Sequence, residues 1–153
     1  MARLEAIAKA LYYPTPARVV EIIGKIVRLE SSGASLLDPC AGEGHAAAML
    51  ARLWGVTSYG VELHKERAAV ATSNLAWAKQ GSYHQLTAID SKGTALSSDA
   101  YSPVAEARPF GILFLNPPYD EGTDETGSSM RQEVEFLRAT TRFLAPGGLL
   151  VFI

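Results

Sequence analysis

Five short apolar segments alternate with helix-like segments along the chain, and this alternation limits the possible folds more than any other feature. The five segments are SLLD, TSYGVE, YHQLTAID, FGILFL and LLVFI. Strands that are joined by helices pair in parallel, and the helices cover both faces of the sheet. The pattern therefore predicts one α/β domain over residues 1–153, with a doubly wound, mostly parallel sheet that is truncated after its fifth strand.

Capping and turn residues predict where the helices between these strands begin and end. A first helix is expected to begin at Thr15 and Pro16, because threonine can cap a helix and proline suits its first turn. The segment EGHAAAMLARLW is expected to form a helix that ends at Gly55. Another helix is expected over residues 64–80, with the third strand, YHQLTAID, after it.

The region after the fourth strand is expected to contain a loop and then a helix. The stretch DEGTDETGSS is polar throughout and predicts a mobile loop. Ser129 and Gln132 have the spacing of a capping box, so a helix is expected to begin there and to stop at APGG.

Composition narrows the functional classes. The 153 residues include 48% hydrophobic and 20% charged residues, which is ordinary for a globular domain, and no apolar run reaches membrane-span length. We therefore expect a cytoplasmic protein. Cys40 is the only cysteine and the three histidines are scattered, so no metal is expected. The net charge of −2 predicts that any grip on nucleic acid comes from a local patch or another part of the protein.

Acidic and glycine residues follow three successive predicted strands. Gly42 and Gly44 lie in DPCAGEG, after the first strand, where the backbone can approach a ligand; Asp38 opens this turn with a carboxylate suited to an ammonium group. Glu62 ends the second strand and can accept ribose hydroxyls, and Asp90 ends the third and can accept from an adenine amino group. Each feature alone is weak, but together they predict S-adenosylmethionine as the cofactor.

The segment LFLNPPYD ends the fourth strand in two adjacent prolines. Neither Pro117 nor Pro118 can donate to a sheet or continue a helix. Asn116 and Pro117 each precede a proline and are therefore pushed toward extended conformations. Their carbonyls have no automatic partner, which predicts a rigid corner rich in hydrogen-bond acceptors.

These residues resemble the class I S-adenosylmethionine-dependent methyltransferases, and more narrowly those that methylate the N6 amino group of adenine in DNA. The matching elements are DPCAGEG, Glu62, Asp90, NPPY at 116–119, and YYPTP at 12–16, which resembles the segment that abuts the cofactor. The resemblance covers nearly the whole chain. It implies a Rossmann-like sheet, which usually has seven strands, and S-adenosylmethionine as cofactor.

The resemblance also implies the residues of the site. Those expected to contact the cofactor are Tyr13, Thr15, Pro16, Asp38, Pro39, Cys40, Ala41, Gly42, Gly44, Glu62, Leu63, Asp90 and Asn116. Those expected to act on the acceptor are Asn116, Pro117, Pro118 and Tyr119. The Asn116 oxygen and the Pro117 carbonyl would accept the N–H bonds of the amine, and Tyr119 would stack on a flipped base. Cys40 lies in the glycine turn and is expected to pack rather than to act as a nucleophile.

Several alternatives remain at this point. RNA amino-group methylation fits the same motifs, protein glutamine methylation fits them less well, and the fold could bind the cofactor without turnover. The expected partner is nucleic acid, DNA before RNA, and no separate target-recognition domain is apparent in the sequence. The probable fragment would then need a missing recognition region to act efficiently on duplex DNA. An open edge at the last strand also predicts pairing with a second copy of the chain.

Overall fold

The computed structural model describes residues 12–29, 33–82, 104, 109–118, 121–123 and 129–153. Within these ranges the chain alternates strands with helices. The helices are α1 (Ala17–Ile26), α2 (His45–Trp54), α3 (Lys65–Asn74) and α4 (Gln132–Thr140), with a 3-10 turn (Thr141–Phe143) after α4. The strands are β1 (Ser35–Asp38), β2 (Thr57–Glu62), β3 (Trp77–Gln80), β4 (Phe110–Leu115), β5 (Glu121–Thr123), β6 (Ser129–Arg131) and β7 (Leu144–Phe152).

Five of the strands form one parallel sheet in the order β3-β2-β1-β4-β7. The chain builds outward from β1 in one direction through β2 and β3, and in the other through β4 and β7. The strand order therefore reverses between β1 and β4, and in such sheets this is the position where ligands bind, outside the carboxyl ends of the strands. The predicted doubly wound parallel sheet is confirmed, and LLVFI lies within β7 as expected.

Both faces of this sheet are buried, as the continuous apolar character of its strands requires. In β4, Ile112 and Phe114 pack toward α1, α2 and α3, whereas Leu113 and Leu115 pack toward the 3-10 turn and α4. The ladder between β4 and β7 shifts register after Phe110, which places that ring on the same face as Leu113. None of the helices in the described ranges is long and apolar enough to cross a membrane.

The end of α3 differs from the prediction. The helix ends at Asn74, and residues 77–80, predicted as its last turn, instead form β3 and pair with β2. Leu75 is extended and only 6% exposed, and it packs where a side chain on Gly60 would otherwise lie. The burial of this leucine and the pairing with β2 both need extended chain, so tertiary packing overrides the helical pattern. The strand predicted over residues 83–90 lies outside the described ranges.

The region after β4 also differs from the prediction. The stretch predicted as a loop contains β5 and the first residue of β6, and these two strands pair antiparallel. Ser129 belongs to β6 and Arg131 is the N-cap of α4 without a side-chain capping bond, so the predicted capping box is wrong. The APGG segment lies inside β7, where Gly147 has a φ of 74°, and α4 has already ended at Thr140.

Candidate active site

The strand-end site is built around a tight turn between β1 and α2. Gly42 and Gly44 have φ angles of 56° and 78°, which only glycine adopts easily, and Gly44 is the N-cap of α2. The turn is closed by a 2.8 Å hydrogen bond from the Gly44 N–H to the Ala41 carbonyl. A second bond, 2.9 Å from the Ala41 N–H to the Val61 carbonyl, fixes the turn against β2. The backbone geometry that the glycines predicted is therefore present.

Asp38 lies at the base of this turn and is only 3% exposed. One carboxylate oxygen accepts a 3.1 Å bond from the Cys40 backbone N–H. Burial disfavours the charged form and raises the pKa of Asp38 to about 7, while hydrogen bonds from Cys40 act in the opposite direction. A cationic ligand group beside this carboxylate would restore its charge.

Cys40 connects this carboxylate to the end of β4. Burial, followed by the nearby Asp38 charge, raises the pKa of the Cys40 thiol well above its ordinary value, so the side chain stays a neutral thiol. The Asp38 side chain and the Asn116 backbone both lie close enough to the thiol to shift its pKa, Asp38 upward and Asn116 downward. The geometry favours the packing role predicted for this residue and joins the glycine turn to the NPPY segment.

Glu62, at the end of β2, is engaged by protein donors. One oxygen accepts a 2.8 Å bond from the Gly42 N–H. The other accepts bonds from the His64 N–H at 2.9 Å and from Arg67 Nε and Nη2 at 3.0 and 2.8 Å. Oε1 thus receives three donors, more than its two lone pairs, whereas Oε2 receives one, so the carboxylate that was expected to receive both ribose hydroxyls has an open acceptor position only on Oε2.

Tyr12 and Arg67 cover this part of the site, and the sequence reasoning did not select either residue. The Arg67 guanidinium carbon lies 4.7 Å from the centroid of the Tyr12 ring, a cation–π contact. The same ring lies against Gly42, where an added Cβ would be 2.5 Å from its Cε2 atom. Tyr12 precedes the chosen Tyr13 in YYPTP, and Arg67 is one turn into the helix after Glu62. Neither residue, taken by itself in the sequence, indicates a binding site.

Asn116 directly follows β4 and is held by the segment before α1. Its Nδ2 atom donates to the Tyr13 carbonyl and to Thr15 Oγ1, both at 2.9 Å. Thr15 was predicted to cap α1, but Pro16 is the N-cap and no side chain caps this helix. The threonine hydroxyl instead accepts from the asparagine amide, so the YYPTP segment lies against the NPPY segment.

The remaining predicted site residues divide into three groups. Pro39 and Pro117 are buried, and Pro118 is half-buried. Leu63 is 70% exposed at the end of β2 and is available to a ligand. Asp90 and Tyr119 lie outside the described ranges. In the described part of the chain β3 ends at Gln80, and the strand that was predicted to end at Asp90 stays a prediction.

No grouping of three or more histidine, cysteine, aspartate or glutamate side chains in the described part of the chain could hold a metal ion.

The parallel sheet and the turn at its reversal point define the Rossmann-like methyltransferase fold. A protein-family model and solved structures that match the chain agree with this fold. The chain belongs to the uncharacterised methyltransferase family DUF6094, whose model matches residues 1–153. No curated protein sequence matches the chain.

Solved structures with this fold include a candidate class I S-adenosylmethionine-dependent methyltransferase from Listeria monocytogenes, with a TM-score of 0.64 and 14% identity. The match covers 99% of this chain and 51% of that one. A methyltransferase from Geobacter sulfurreducens matches with a TM-score of 0.55 and 20% identity, over 98% of this chain and 54% of that one. One from Thiobacillus denitrificans matches with a TM-score of 0.54 and 20% identity, over 90% and 48%.

The Geobacter and Thiobacillus proteins were crystallised with S-adenosyl-L-homocysteine. At these identities the likeness shows the fold alone. The chain spans about half the length of these three structures.

Proposed function

We propose that this chain is the core of an S-adenosylmethionine-dependent methyltransferase that acts on an exocyclic amino group, with adenine N6 in DNA as the leading acceptor. The observation that carries the proposal is the setting of the Asn116 amide. Both of its N–H donors are used, by the Tyr13 carbonyl and the Thr15 hydroxyl. The side-chain oxygen is therefore fixed in orientation and remains the acceptor of this group.

The described residues fit the proposed cofactor. The buried Asp38 carboxylate suits an ammonium group, since a cation would offset the cost of its burial. Glu62 suits a ribose diol at the end of the neighbouring strand. Gly42 has no side chain, which lets the Tyr12 ring pack directly on the turn beside this acceptor. S-adenosylmethionine would supply a methyl group that its sulfonium already activates, so the protein supplies orientation rather than a strong base.

The chemistry at Asn116 follows from the electronic structure of an aromatic amine. The nitrogen lone pair of such an amine is delocalised into the ring, so the nitrogen is a poor nucleophile. If the Asn116 oxygen and the Pro117 carbonyl each accept one N–H bond, the nitrogen is drawn toward tetrahedral geometry and its lone pair leaves the ring plane. The two prolines limit the movement of both acceptors. Tyr119 is proposed to stack on the acceptor base.

A nucleic acid is the proposed partner, and the chain itself carries few means to bind it tightly. The net charge is −2, whereas proteins that hold phosphate backbones alone are usually basic. A recognition region elsewhere is proposed to supply this affinity. A cytoplasmic location and pairing of two copies through the β7 edge also remain proposals.

The test measures methyl transfer from labelled S-adenosylmethionine to single-stranded DNA, duplex DNA, RNA and protein in parallel, after calorimetry has established cofactor binding. Mass spectrometry of the product nucleosides is expected to find N6-methyladenine in DNA. If methylated adenine or guanine is found only in RNA, the acceptor is RNA and not DNA. Labelled glutamine would show a protein acceptor. Methylated cytosine C5 would contradict amino-group transfer altogether.

The matched control is Asn116→Asp, which keeps an oxygen acceptor and the side-chain size but loses both N–H donors. We expect this variant to bind cofactor like the wild type and to lose most of its transfer activity, because the amide is no longer anchored to residues 13 and 15. Full activity in Asn116→Asp would show that the anchored oxygen is not what the reaction needs.

A further inference from the structure

Glu62, the proposed acceptor for the ribose of the cofactor, already accepts hydrogen bonds from the protein itself. Glu62 receives four hydrogen bonds, and its side chain is only 7% exposed. Three of these bonds are on Oε1 and one is on Oε2, so a ligand diol can bind both oxygens of this carboxylate only if a donor leaves Oε1.

Only one of the donor groups is free to leave without unfolding an element. The Gly42 N–H belongs to the tight turn, and His64 is the N-cap residue of α3. Arg67, in contrast, reaches the carboxylate with a long side chain that can adopt other rotamers. It contributes two of the four donors, from Nε and Nη2. Both of its bonds are on Oε1, so its departure would leave one protein donor on each oxygen and one acceptor position on each for the two hydroxyls of a ribose diol.

Tyr12 holds Arg67 in this position. The guanidinium carbon lies 4.7 Å from the ring centroid, and the ring in turn rests against Gly42. Burial, followed by the nearby Glu43 charge, raises the pKa of the Tyr12 phenol, so its hydroxyl stays neutral. The two side chains thus form one stacked layer over the glycine turn and the Glu62 carboxylate.

We propose that Tyr12 and Arg67 form a displaceable cover over the ribose acceptor, and that Arg67 competes with the cofactor's ribose for Glu62. The cover lowers cofactor affinity and makes it depend on both ribose hydroxyls. Tyr12 is joined by a peptide bond to Tyr13, whose carbonyl accepts a hydrogen bond from the Asn116 amide. Displacement of Tyr12 would therefore also move a group that anchors Asn116. This inference rests on the cofactor proposed above but not on the identity of the methyl acceptor.

The first test is the affinity of the full chain for S-adenosylhomocysteine, measured by calorimetry in the wild type, Arg67→Ala and Arg67→Gln. If Arg67 competes with ribose, both variants should bind the ligand at least threefold more tightly. Lys65→Ala, an exposed position on the same helix, is the matched control and should leave the affinity unchanged. In a Glu62→Ala background, Arg67→Ala should give no gain, because the contested carboxylate is gone.

Affinity that is unchanged or weaker in the Arg67 variants would overturn the cover and make Arg67 a residue that positions Glu62. Failure of the wild type and of both variants to bind the ligand would overturn the proposed cofactor, and the cover with it. These two failures are therefore distinguishable.

The second test needs no variant. In a ¹⁵N spectrum of the empty wild type, the Arg67 Nε–H should exchange slowly because it is hydrogen-bonded to Glu62. Saturating S-adenosylhomocysteine should speed this exchange at least tenfold, whereas 2′-deoxy and 3′-deoxy forms of the ligand should do so less. An Arg67 Nε–H that stays protected with the ligand bound would contradict the displacement.

Discussion

The two halves of the site use their polar groups differently. At the ends of β1 and β2, Asp38 and Glu62 are 3% and 6% exposed and already accept hydrogen bonds from the protein. After β4, Asn116 is half-buried, and its hydrogen bonds to Tyr13 and Thr15 use only the N–H donors of its amide. Binding to both oxygens of Glu62 must therefore proceed by exchange of partners, whereas the second half has an acceptor that is positioned in advance. The first should govern affinity and the second should govern turnover.

The strongest test of this division is Asn116→Ala. We expect methyl transfer to fall at least a hundredfold, since the loss of one positioned polar group typically costs roughly 2.7–4 kcal/mol in the transition state. Affinity for S-adenosylhomocysteine should change much less, because Asp38 and Glu62 are untouched. Single-turnover kinetics and calorimetry on the same samples make the comparison. Turnover near the wild-type rate would mean that the NPPY segment is only structural.

The reverse pattern is expected for Glu62→Ala. Loss of the charged acceptor at the end of β2 should weaken cofactor affinity by more than tenfold, or about 1.4 kcal/mol. At saturating cofactor the rate of transfer should recover substantially. Calorimetry gives the affinity, and a thermal melt checks that the turn remains folded without the bond to the Gly42 N–H. Unchanged affinity would remove Glu62 from the cofactor site.

Asp38 should make cofactor affinity depend on pH. Burial raises its pKa to about 7, but an ammonium group requires the carboxylate. Affinity for S-adenosylhomocysteine should therefore fall as pH falls below this value, by up to about tenfold per pH unit. Calorimetry between about pH 5.5 and 7.5 stays below the range in which the ligand's amino group titrates. Asp38→Asn should bind weakly with a flat profile; a wild-type profile equally flat would contradict the assignment.

The same shift has the opposite sign for the stability of the empty protein. The pKa of Asp38 is higher in the folded state than its ordinary value, so the folded state binds this proton more tightly. The resulting stability is fully present below the unfolded pKa, near 3.9, and is lost as pH rises through about 7. Relative to Asp38→Asn, the wild type should lose about 1.4 kcal/mol of unfolding free energy per pH unit within this window. Urea unfolding at several pH values measures the difference.

The smallest effect is expected for Thr15→Val, which removes one of the two anchors of the Asn116 amide and keeps the shape of the side chain. The Tyr13 carbonyl still holds the group, so the loss should be about 0.5–1.5 kcal/mol, or roughly two- to tenfold in turnover. Cofactor affinity should not change. A loss as large as that of Asn116→Ala would show that this hydroxyl contacts the acceptor itself.

The sequence predicted the parts of this molecule in which local pattern and tertiary packing agree. The strands SLLD, TSYGVE and FGILFL have the expected bounds, and the helix closed by Gly55 ends where it was expected to end but begins at His45, two residues later than predicted. The predicted end of α3 was wrong. Leu75 and the residues of β3 continue the helical pattern in the sequence, but in the structure they are extended, and β3 pairs with β2. The spacing of apolar residues in the sequence does not reveal these tertiary contacts.

The site was predictable to the same extent. Asp38 and Asn116 lie where strand ends place them, because a parallel sheet gathers its carboxyl ends. The partners of these residues were not predictable. That Thr15 binds an amide rather than capping a helix depends on contact across most of the chain's length. The pairing of Arg67 with Glu62 depends on a rotamer and on the Tyr12 ring beside it.

Leu75 has a consequence for how this sequence can diverge. A Cβ on Gly60 would lie 2.4 Å from its Cδ1 atom, and a Cβ on Gly44 would lie 3.0 Å from its Cγ atom. Two glycines on different elements are thus fitted to one leucine. A Cβ on Gly60 would also lie 2.9 Å from the Ala41 Cβ atom, so Gly60 can gain a methyl group only together with smaller residues at positions 75 and 41, and these three positions are expected to vary together. Gly44 has no such compensating partner, because its φ of 78° would strain any side chain.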